Sequence, residues 1–292
     1  MLQHLSQYLF LLFTVGSLLI PFSRICAEKF IVATIHPASA ILKEIAGSRI
    51  TVHTLIRPGN SHHTFDPTPS DMLKMKRSMG IFFISRELDG WAAKNHISKH
   101  FEMIQMLPKT YLLELADSDH HHGHNLDPHF WMDPLTVKAI LPGLTGALCS
   151  IDLSGCRIYS ANATRFSKKL LNLDAEIKKK LKTSYGKKFF IYHSSLRYFF
   201  KRYGLRETGV LEPVTGSEPT PRHIAKLILL SKKQKVQAIL TEELYPIRSA
   251  KMLSEQTGLS IVMVDPAGGR NGRFKYEEIL FYNADQIAKA VK

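Results

Sequence analysis

The segment GCRIYSANATRFSKKLLNLDAEIKKKLKTSY, residues 155–185, has the apolar periodicity of one long α-helix. Its apolar side chains recur at intervals of three or four residues: Phe166, Leu170, Leu173, Ile177 and Leu181. Lysines and acidic residues fill the other faces, and a helix of this length reaches about 45 Å at 1.5 Å per residue. We interpret it as a stiff connector between two lobes, and the alternative is a core helix of one larger domain.

Short apolar, β-branched runs lie on both sides of this helix, and helical patterns alternate with them. Four runs precede residue 120, at 29–35, 50–56, 80–85 and 111–115, and four follow residue 185, at 188–193, 208–213, 236–242 and 259–265. Near-continuous apolar strands that alternate with helices indicate parallel sheets covered on both faces. The predicted fold class is therefore α/β, with two lobes, each a mainly parallel sheet flanked by helices. The predicted boundaries are 28–154 for the first lobe, 155–185 for the rigid linking helix and 186–292 for the second lobe.

The first 27 residues have the pattern of a signal peptide. Tyr8 to Ile20 carries no charge but is shorter than the roughly 20 apolar residues of a membrane span. Ala27 offers a small residue for cleavage before Glu28. A lipid anchor on Cys26 is a less favoured alternative, because Ile25 stands where a small residue is usual, and an uncleaved anchor is a third. We expect a secreted protein.

Composition limits the remaining function classes. The 292 residues carry 39 Lys and Arg against 25 Asp and Glu, a formal net charge of +14, and 45% are hydrophobic. This excludes a disordered chain. The lysines form no basic stripe interleaved with aromatic residues, so we expect no nucleic-acid partner. Cys149 and Cys156 either form a disulfide or stay as separate thiols, since the sequence does not fix their geometry.

Several polar residues stand at or just after the ends of predicted strands. His193 ends the run 188–193, Asp265 ends 259–265, and His62 and His63 follow 50–56. His129 lies in the turn DPHFWMDP. Ligands of open α/β sheets bind at the carboxyl ends of the strands. Imidazoles with one carboxylate suit a borderline divalent metal, most naturally zinc in four-coordination.

A second histidine cluster lies in the segment DSDHHHGHNLDPHFW. It consists of His120, His121, His122 and His124, on a polar segment that contains glycine. Such a segment suits loose, accessory metal capture rather than one rigid tetrahedral site. The alternative is a hydrophilic loop with chance histidines.

Four ordered motifs resemble those of the periplasmic metal-binding components of zinc and manganese ABC transporters, the cluster A-I solute-binding proteins. They are RPGNSHHTFDPTPSD (57–71), DPHFWMDP (127–134), HSSLRYFFKRYGL (193–205) and EPTPRHIAKLI (218–228). The resemblance runs from about Phe30 to the end of the chain. It implies a two-lobed α/β binding protein that carries its metal in the cleft between the lobes and has no enzymatic activity.

The resemblance also implies the ligands and the partners. Carried over motif by motif, the metal ligands are His63, His129, His193 and Asp265, with His62 as the competitor of His63. The expected cargo is zinc, with manganese or iron as the alternative, and the expected partner is the membrane permease of an ABC importer. We expect a monomer.

Two other classes remain as alternatives. A secreted zinc hydrolase is disfavoured, because the sequence has no H-E-x-x-H motif and Asp265 already fills the fourth ligand position. An additional adhesin role stays open. Glu242 and Glu243, at the end of a predicted strand, are candidates for orienting a ligand histidine.

Overall fold

The structure, a computed structural model, describes residues 28–94, 99–115, 126–212 and 217–291. The predicted signal peptide and the histidine-rich cluster at 120–124 lie outside the described residues. Within the described ranges the chain forms two four-stranded sheets in which every strand pair is parallel. The α/β prediction is confirmed.

The two sheets have related strand orders. The first has the order β2-β1-β3-β4 and consists of β1 (Phe30–Ala33), β2 (Thr51–Thr54), β3 (Ile81–Phe83) and β4 (His100–Glu102). The second has the order β6-β5-β7-β8 and consists of β5 (Lys188–Ile191), β6 (Arg206–Val210), β7 (Ala238–Glu242) and β8 (Ser260–Val264). In each sheet the strand that comes first in the chain, β1 or β5, lies between the second and the third strands. The chain therefore continues to one side of this strand and later crosses to its other side. This arrangement opens a crevice at the carboxyl ends of the strands.

The prediction of a strand at 111–115 is wrong. That segment follows a short 3-10 turn, Lys109–Tyr111, and contributes one isolated antiparallel bridge between Glu114 and Leu126. The fourth strand is instead β4, where Phe101 stacks on Phe82 with 4.7 Å between ring centroids. A three-residue edge strand with one apolar side chain has almost no periodic pattern. The sequence therefore predicts the strand in the more apolar neighbouring run.

Helices cover both sheets and fill the space between them. They are α1 (His36–Ala46), α2 (Pro69–Arg77), α3 (Arg86–Asp89), α4 (Pro134–Ile151), α5 (Cys156–Lys180), α6 (Arg197–Tyr203), α7 (Pro221–Gln234), α8 (Ile247–Thr257) and α9 (Tyr276–Lys289). Local chemistry fixes the start of α2. Thr68, the N-cap residue, and Asp71 form a reciprocal capping box, and Pro69 occupies the first helical position between them. At the start of α4 the Asp133 side chain accepts a hydrogen bond from the Leu135 amide at 2.9 Å.

Helix α5 corresponds to the long helix that the sequence predicts. Its 25 residues span about 37 Å, less than expected, because the chain tightens into a 3-10 turn at Lys182–Ser184. The predicted apolar stripe is buried along its whole length: Phe166, Leu170, Leu173, Ile177 and Leu181. It packs on α1 and α4 beside the first sheet and on α9 beside the second. The division of the chain at 155 and 185 stays a prediction.

Alternating strand residues face different cores. Ile31 and Ala33 of β1 join the largest core, which also contains Phe189 and Ile191 of β5, whereas Val32 faces a smaller core on the opposite side of the first sheet. Burial on both faces explains why these strands read as continuous apolar runs.

Helix α4 is long and apolar enough to cross a membrane by length and composition alone, the single such helix among the described residues. Val137, Ile140 and Leu144 are buried in the largest core, where α4 packs along α5. A disulfide between Cys149 and Cys156 joins the end of α4 to the start of α5. The sequence left open whether these cysteines are bonded or separate, and the structure contains the disulfide.

Candidate metal centre

The candidate site lies where loops leave the carboxyl ends of strands from both sheets. His62 and His63 lie in the loop after β2 of the first sheet, and His193 follows β5 of the second. His129 lies in the turn that leads into α4, and Asp265 directly follows β8. Residues far apart in the chain thus converge because parallel strands end at the same edge of a sheet.

Four imidazoles form one cluster, which we call the histidine cluster: His62, His63, His129 and His193. Ligand atoms of His62, His63 and His129 lie within 4.8 Å of one another. His193 joins through His63, with 3.2 Å between the two Nε2 atoms. The ring centroid of His193 is also 5.4 Å from that of His129. Three of the predicted ligands are therefore neighbours, and His62 is a fourth imidazole in the same place.

His129 is held in a fixed orientation by Asp127. Its Nδ1 lies 2.8 Å from Asp127 Oδ1, and its backbone amide donates to the same oxygen at 3.0 Å. The side chains of both residues are buried, and Nε2 of His129 has no hydrogen-bond partner among the described residues. With the hydrogen on Nδ1 directed to the carboxylate, the lone pair of Nε2 faces the cluster. This carboxylate–histidine arrangement is typical of metal sites.

A buried carboxylate also faces His193, but it is not one of the two that the sequence suggests. Nδ1 of His193 lies 3.7 Å from Glu212 Oε2. Glu242 instead accepts a hydrogen bond from Ser195 Oγ at 2.7 Å, and Glu243 pairs with Arg270 at 3.1 Å. Sequence reasoning missed Asp127 and Glu212 in this role. The D-P-H motif offered a signal for Asp127, whereas Glu212 lies two residues after the end of β6 and outside the four motifs.

Burial favours the neutral form of His62, His63 and His193. Desolvation is the main cause that lowers the pKa of His63 to about 4 and that of His193 to about 2, and repulsion from His129 adds to both. Desolvation also holds the pKa of His62 well below its usual value, and the three neighbouring imidazoles add to this shift. Imidazole binds metal only when neutral, so these groups are ready as ligands at neutral pH.

Asp265 is tied into a separate network. Its Oδ1 accepts from the Gly268 amide at 2.9 Å, and its Oδ2 accepts from Arg273 Nε. The side chains of Asp265 and Arg273 are both buried. The backbone amide of Asp265 donates to Asn283 Oδ1 at 2.8 Å, which fixes the end of β8 against α9. Both carboxylate oxygens are therefore engaged within the protein.

Trp131 forms one wall of the site. Its ring centroid lies 5.1 Å from that of His129 and 6.3 Å from that of His62. Its Nε1 donates to the Pro266 carbonyl at 3.0 Å, which links the turn before α4 to the segment after β8. The apolar ring excludes water from one side of the histidine cluster.

Comparison with known proteins gives a family match over almost the whole chain. The family model described as "ZnuA: Zinc-uptake complex component A periplasmic" matches residues 31–290. These bounds agree with the extent of the resemblance seen in the sequence motifs.

Individual relatives bind different metals according to their names. The chain is 24% identical to the zinc-binding protein AdcA of Streptococcus pyogenes, over 82% of this chain and 50% of AdcA. It is 25% identical to the iron-binding protein YfeA of Yersinia pestis, over 90% and 86% of the two chains. It is 27% identical to the manganese ABC transporter substrate-binding lipoprotein PsaA of Streptococcus anginosus, over 89% and 88%. The chain spans about half the length of the AdcA proteins that it matches.

Solved structures share the fold. The crystal structure of ZnuA superposes with a TM-score of 0.79 at 25% identity and covers 91% of this chain and 100% of that chain. The laminin-binding protein Lmb of Streptococcus agalactiae, described as a bifunctional protein with adhesin and metal transporting activity, superposes with a TM-score of 0.78. At 23% identity over 90% of this chain and 100% of Lmb, that likeness shows the fold alone.

Proposed function

Because this chain belongs to the family of periplasmic zinc-uptake components, we propose that it captures a divalent metal ion, zinc, outside the cytoplasm and delivers it to the membrane permease of an ABC importer. The family consists of solute-binding proteins rather than enzymes, so capture and release are the whole activity. The proposal does not extend to an adhesin role, because the likeness to the laminin-binding protein concerns the fold.

The observation that carries the proposal is the approach of two imidazole nitrogens from different sheets. His63 Nε2 and His193 Nε2 lie 3.2 Å apart, and tetrahedral zinc with bonds of about 2.0–2.1 Å places its nitrogen ligands about 3.3 Å from each other. The buried Nε2 of His129, which lacks a hydrogen-bond partner in the part of the chain that the structure describes, supplies a third nitrogen. A cation shared by these groups satisfies all three lone pairs.

Zinc is the proposed cargo because the site is rich in nitrogen. Imidazole suits zinc, whereas carboxylate, carbonyl and water ligands suit manganese. The relatives named for zinc, iron and manganese have similar sequence identities to this chain. Zinc is therefore proposed from the donor atoms of this chain. A manganese or iron cargo is the alternative.

Two aspects of the cellular context accompany the proposal. The family description includes the word periplasmic, and the names of two streptococcal relatives include the word lipoprotein. We propose a periplasmic location after removal of residues 1–27, with lipid attachment at Cys26 as the alternative. Mass spectrometry of the mature protein distinguishes a chain that begins at Glu28 from one with a lipidated Cys26.

The experiment that tests the function has two parts. The metal content of protein purified from its own cell envelope, without added metal, should be close to one zinc per chain. Replacing His129 by Ala should weaken zinc binding by more than about 100-fold, which exceeds the effect of removing a residue that only hydrogen-bonds to a ligand. The far-UV circular dichroism of the metal-free protein should stay unchanged. A His53→Ala control, in β2 and outside the cluster, should bind like the wild type. Unchanged tight binding in the His129 variant would refute the site.

A further inference from the structure

Resting on the proposed function, we infer that the fourth metal ligand is Nε2 of His62 and not the carboxylate of Asp265, so that the metal is held by four imidazoles. The site differs in this respect from the three histidines and one acidic residue that the sequence motifs imply. The two residues compared, His62 and Asp265, lie in the loops after β2 and after β8.

The first observation is the environment of His62. Its Nε2 is buried and has no hydrogen-bond partner in the described structure. Its ligand atom lies within 4.8 Å of those of His63 and His129. A buried polar atom without a partner is energetically unfavourable, and such atoms in native structures call for a specific explanation. A metal ion shared with the neighbouring imidazoles supplies the missing partner.

The second observation is the engagement of Asp265. Its carboxylate forms a buried ion pair with Arg273, and its other oxygen accepts from the Gly268 amide. The guanidinium of Arg273 is in turn positioned over the ring of Tyr282, 4.3 Å from the centroid. Drawing the carboxylate toward a metal would separate a buried pair, and leaving one buried charge uncompensated is strongly unfavourable. His62 needs no such exchange.

The third observation is the spacing of the rings. Zinc bonded to four imidazoles in a tetrahedron places their ring centroids about 5 Å apart. The observed separations are 4.4 Å for His62 and His63, 4.8 Å for His63 and His193, 5.4 Å for His129 and His193, and 6.1 Å from His129 to both His62 and His63. Five of the six ring pairs thus lie near this spacing, and the ligand atoms of His62, His63 and His129 already lie within 4.8 Å of one another.

Charge balance favours the same ligand set. Four neutral imidazoles leave the two positive charges of zinc uncompensated among the ligands themselves. Asp127 lies 2.8 Å from Nδ1 of His129, and Glu212 lies 3.7 Å from Nδ1 of His193. These two carboxylates lie beyond the ligand rings, on the side away from the metal, where their negative charge offsets that of the ion. An all-nitrogen site also strengthens the preference for zinc over manganese.

Zinc K-edge X-ray absorption of the wild-type protein, loaded with one equivalent of zinc, tests the inference without any substitution. We expect a first shell of four nitrogen atoms with the multiple-scattering pattern of four imidazoles. A shell of three imidazoles and one carboxylate oxygen would overturn the inference.

Two variants provide an independent measurement by competitive zinc titration. His62→Phe keeps the ring volume beside Trp131 but removes the nitrogen, and we expect zinc affinity to fall by more than about 100-fold. Asp265→Asn should change it by less than about tenfold. If the melting temperature of the Asp265 variant shows a disrupted fold, the His62 variant and the absorption spectrum decide the question.

The outcomes separate the two proposals. Loss of affinity in the Asp265 variant with no change in the His62 variant overturns the four-imidazole site and leaves the proposed function intact. Wild-type zinc affinity in both His129→Ala and His193→Ala overturns the proposed function at this site. His53→Ala serves as the control for removal of a histidine outside the cluster.

Discussion

Acidification should destabilise the metal-free protein through His63, which is the clearest quantitative consequence of the buried histidine cluster. Burial lowers the pKa of His63 to about 4 from the usual histidine value of 6.5. Below about pH 6.5 the unfolded chain binds a proton at this residue and the folded chain does not. Stability therefore falls as the pH decreases through this window, and the loss levels off near pH 4.

The size of the effect follows from the shift. The pKa of His63 is lower by about 2.5 in the folded chain than in the unfolded chain, which at about 1.4 kcal/mol for each pH unit corresponds to roughly 3–4 kcal/mol over the whole window. At about pH 5 roughly 2 kcal/mol of this has been lost. The lowered pKa values of His62 and His193 act in the same direction, so the wild-type protein should lose more than His63 alone contributes.

Urea unfolding of the chelator-treated protein at several pH values measures this contribution. Between about pH 7 and pH 5, His63→Asn should lose about 2 kcal/mol less stability than the wild type. His53→Asn, which keeps all four cluster histidines, should follow the wild type. Equal losses in the wild type and the His63 variant, or an NMR titration of the His63 ring centred near 6.5, would refute the reasoning.

Four further predictions concern metal binding and the covalent framework. Because His63 and His193 resist protonation, zinc affinity measured by competition should change little between about pH 7 and pH 5.5 and should decline steeply toward pH 4. A decline in affinity centred at pH 6.5 would contradict the lowered pKa values. Asp127→Asn keeps the shape but not the charge beside His129 Nδ1, and it should weaken zinc binding about 10–100-fold in the same assay, whereas equal affinity would show that this carboxylate does not act through the ligand. Changing His120, His121, His122 and His124 to Ser should remove weak, additional zinc from the binding stoichiometry and keep the tight site, because the histidine-rich composition suits accessory capture and the ligands proposed for the tight site are unchanged. Loss of the tight site would make these residues primary ligands. Replacing Cys149 and Cys156 by Ser should lower the free energy of unfolding by about 2 kcal/mol in urea titrations, since the closed loop is short, and an unchanged midpoint and slope would show that the disulfide adds no stability.

The sequence by itself determined the elements whose signal is local and periodic. The apolar stripe from Phe166 to Leu181 predicted α5, because a helix buries one residue in every three or four. Continuous β-branched runs predicted seven of the eight strands, since strands buried on both faces have no polar side. The edge strand β4 was missed, because its pairing to β3 and the stacking of Phe101 on Phe82 are contacts between segments far apart in the chain.

Only the tertiary structure decided the environment of each candidate ligand. The motifs placed His63, His129 and His193 at strand ends and turns, and they do meet in one cluster. No sequence pattern indicated that Arg273 would engage Asp265 or that Glu212 would face His193. Nor did any pattern indicate that Nε2 of His62 would be buried with no hydrogen-bond partner among the described residues. A motif records which residue types stand near a site. Which nitrogen remains free, and which carboxylate is already paired, depends on side chains that distant parts of the chain bring into contact, and this pairing sets both the charge and the ligands of the site.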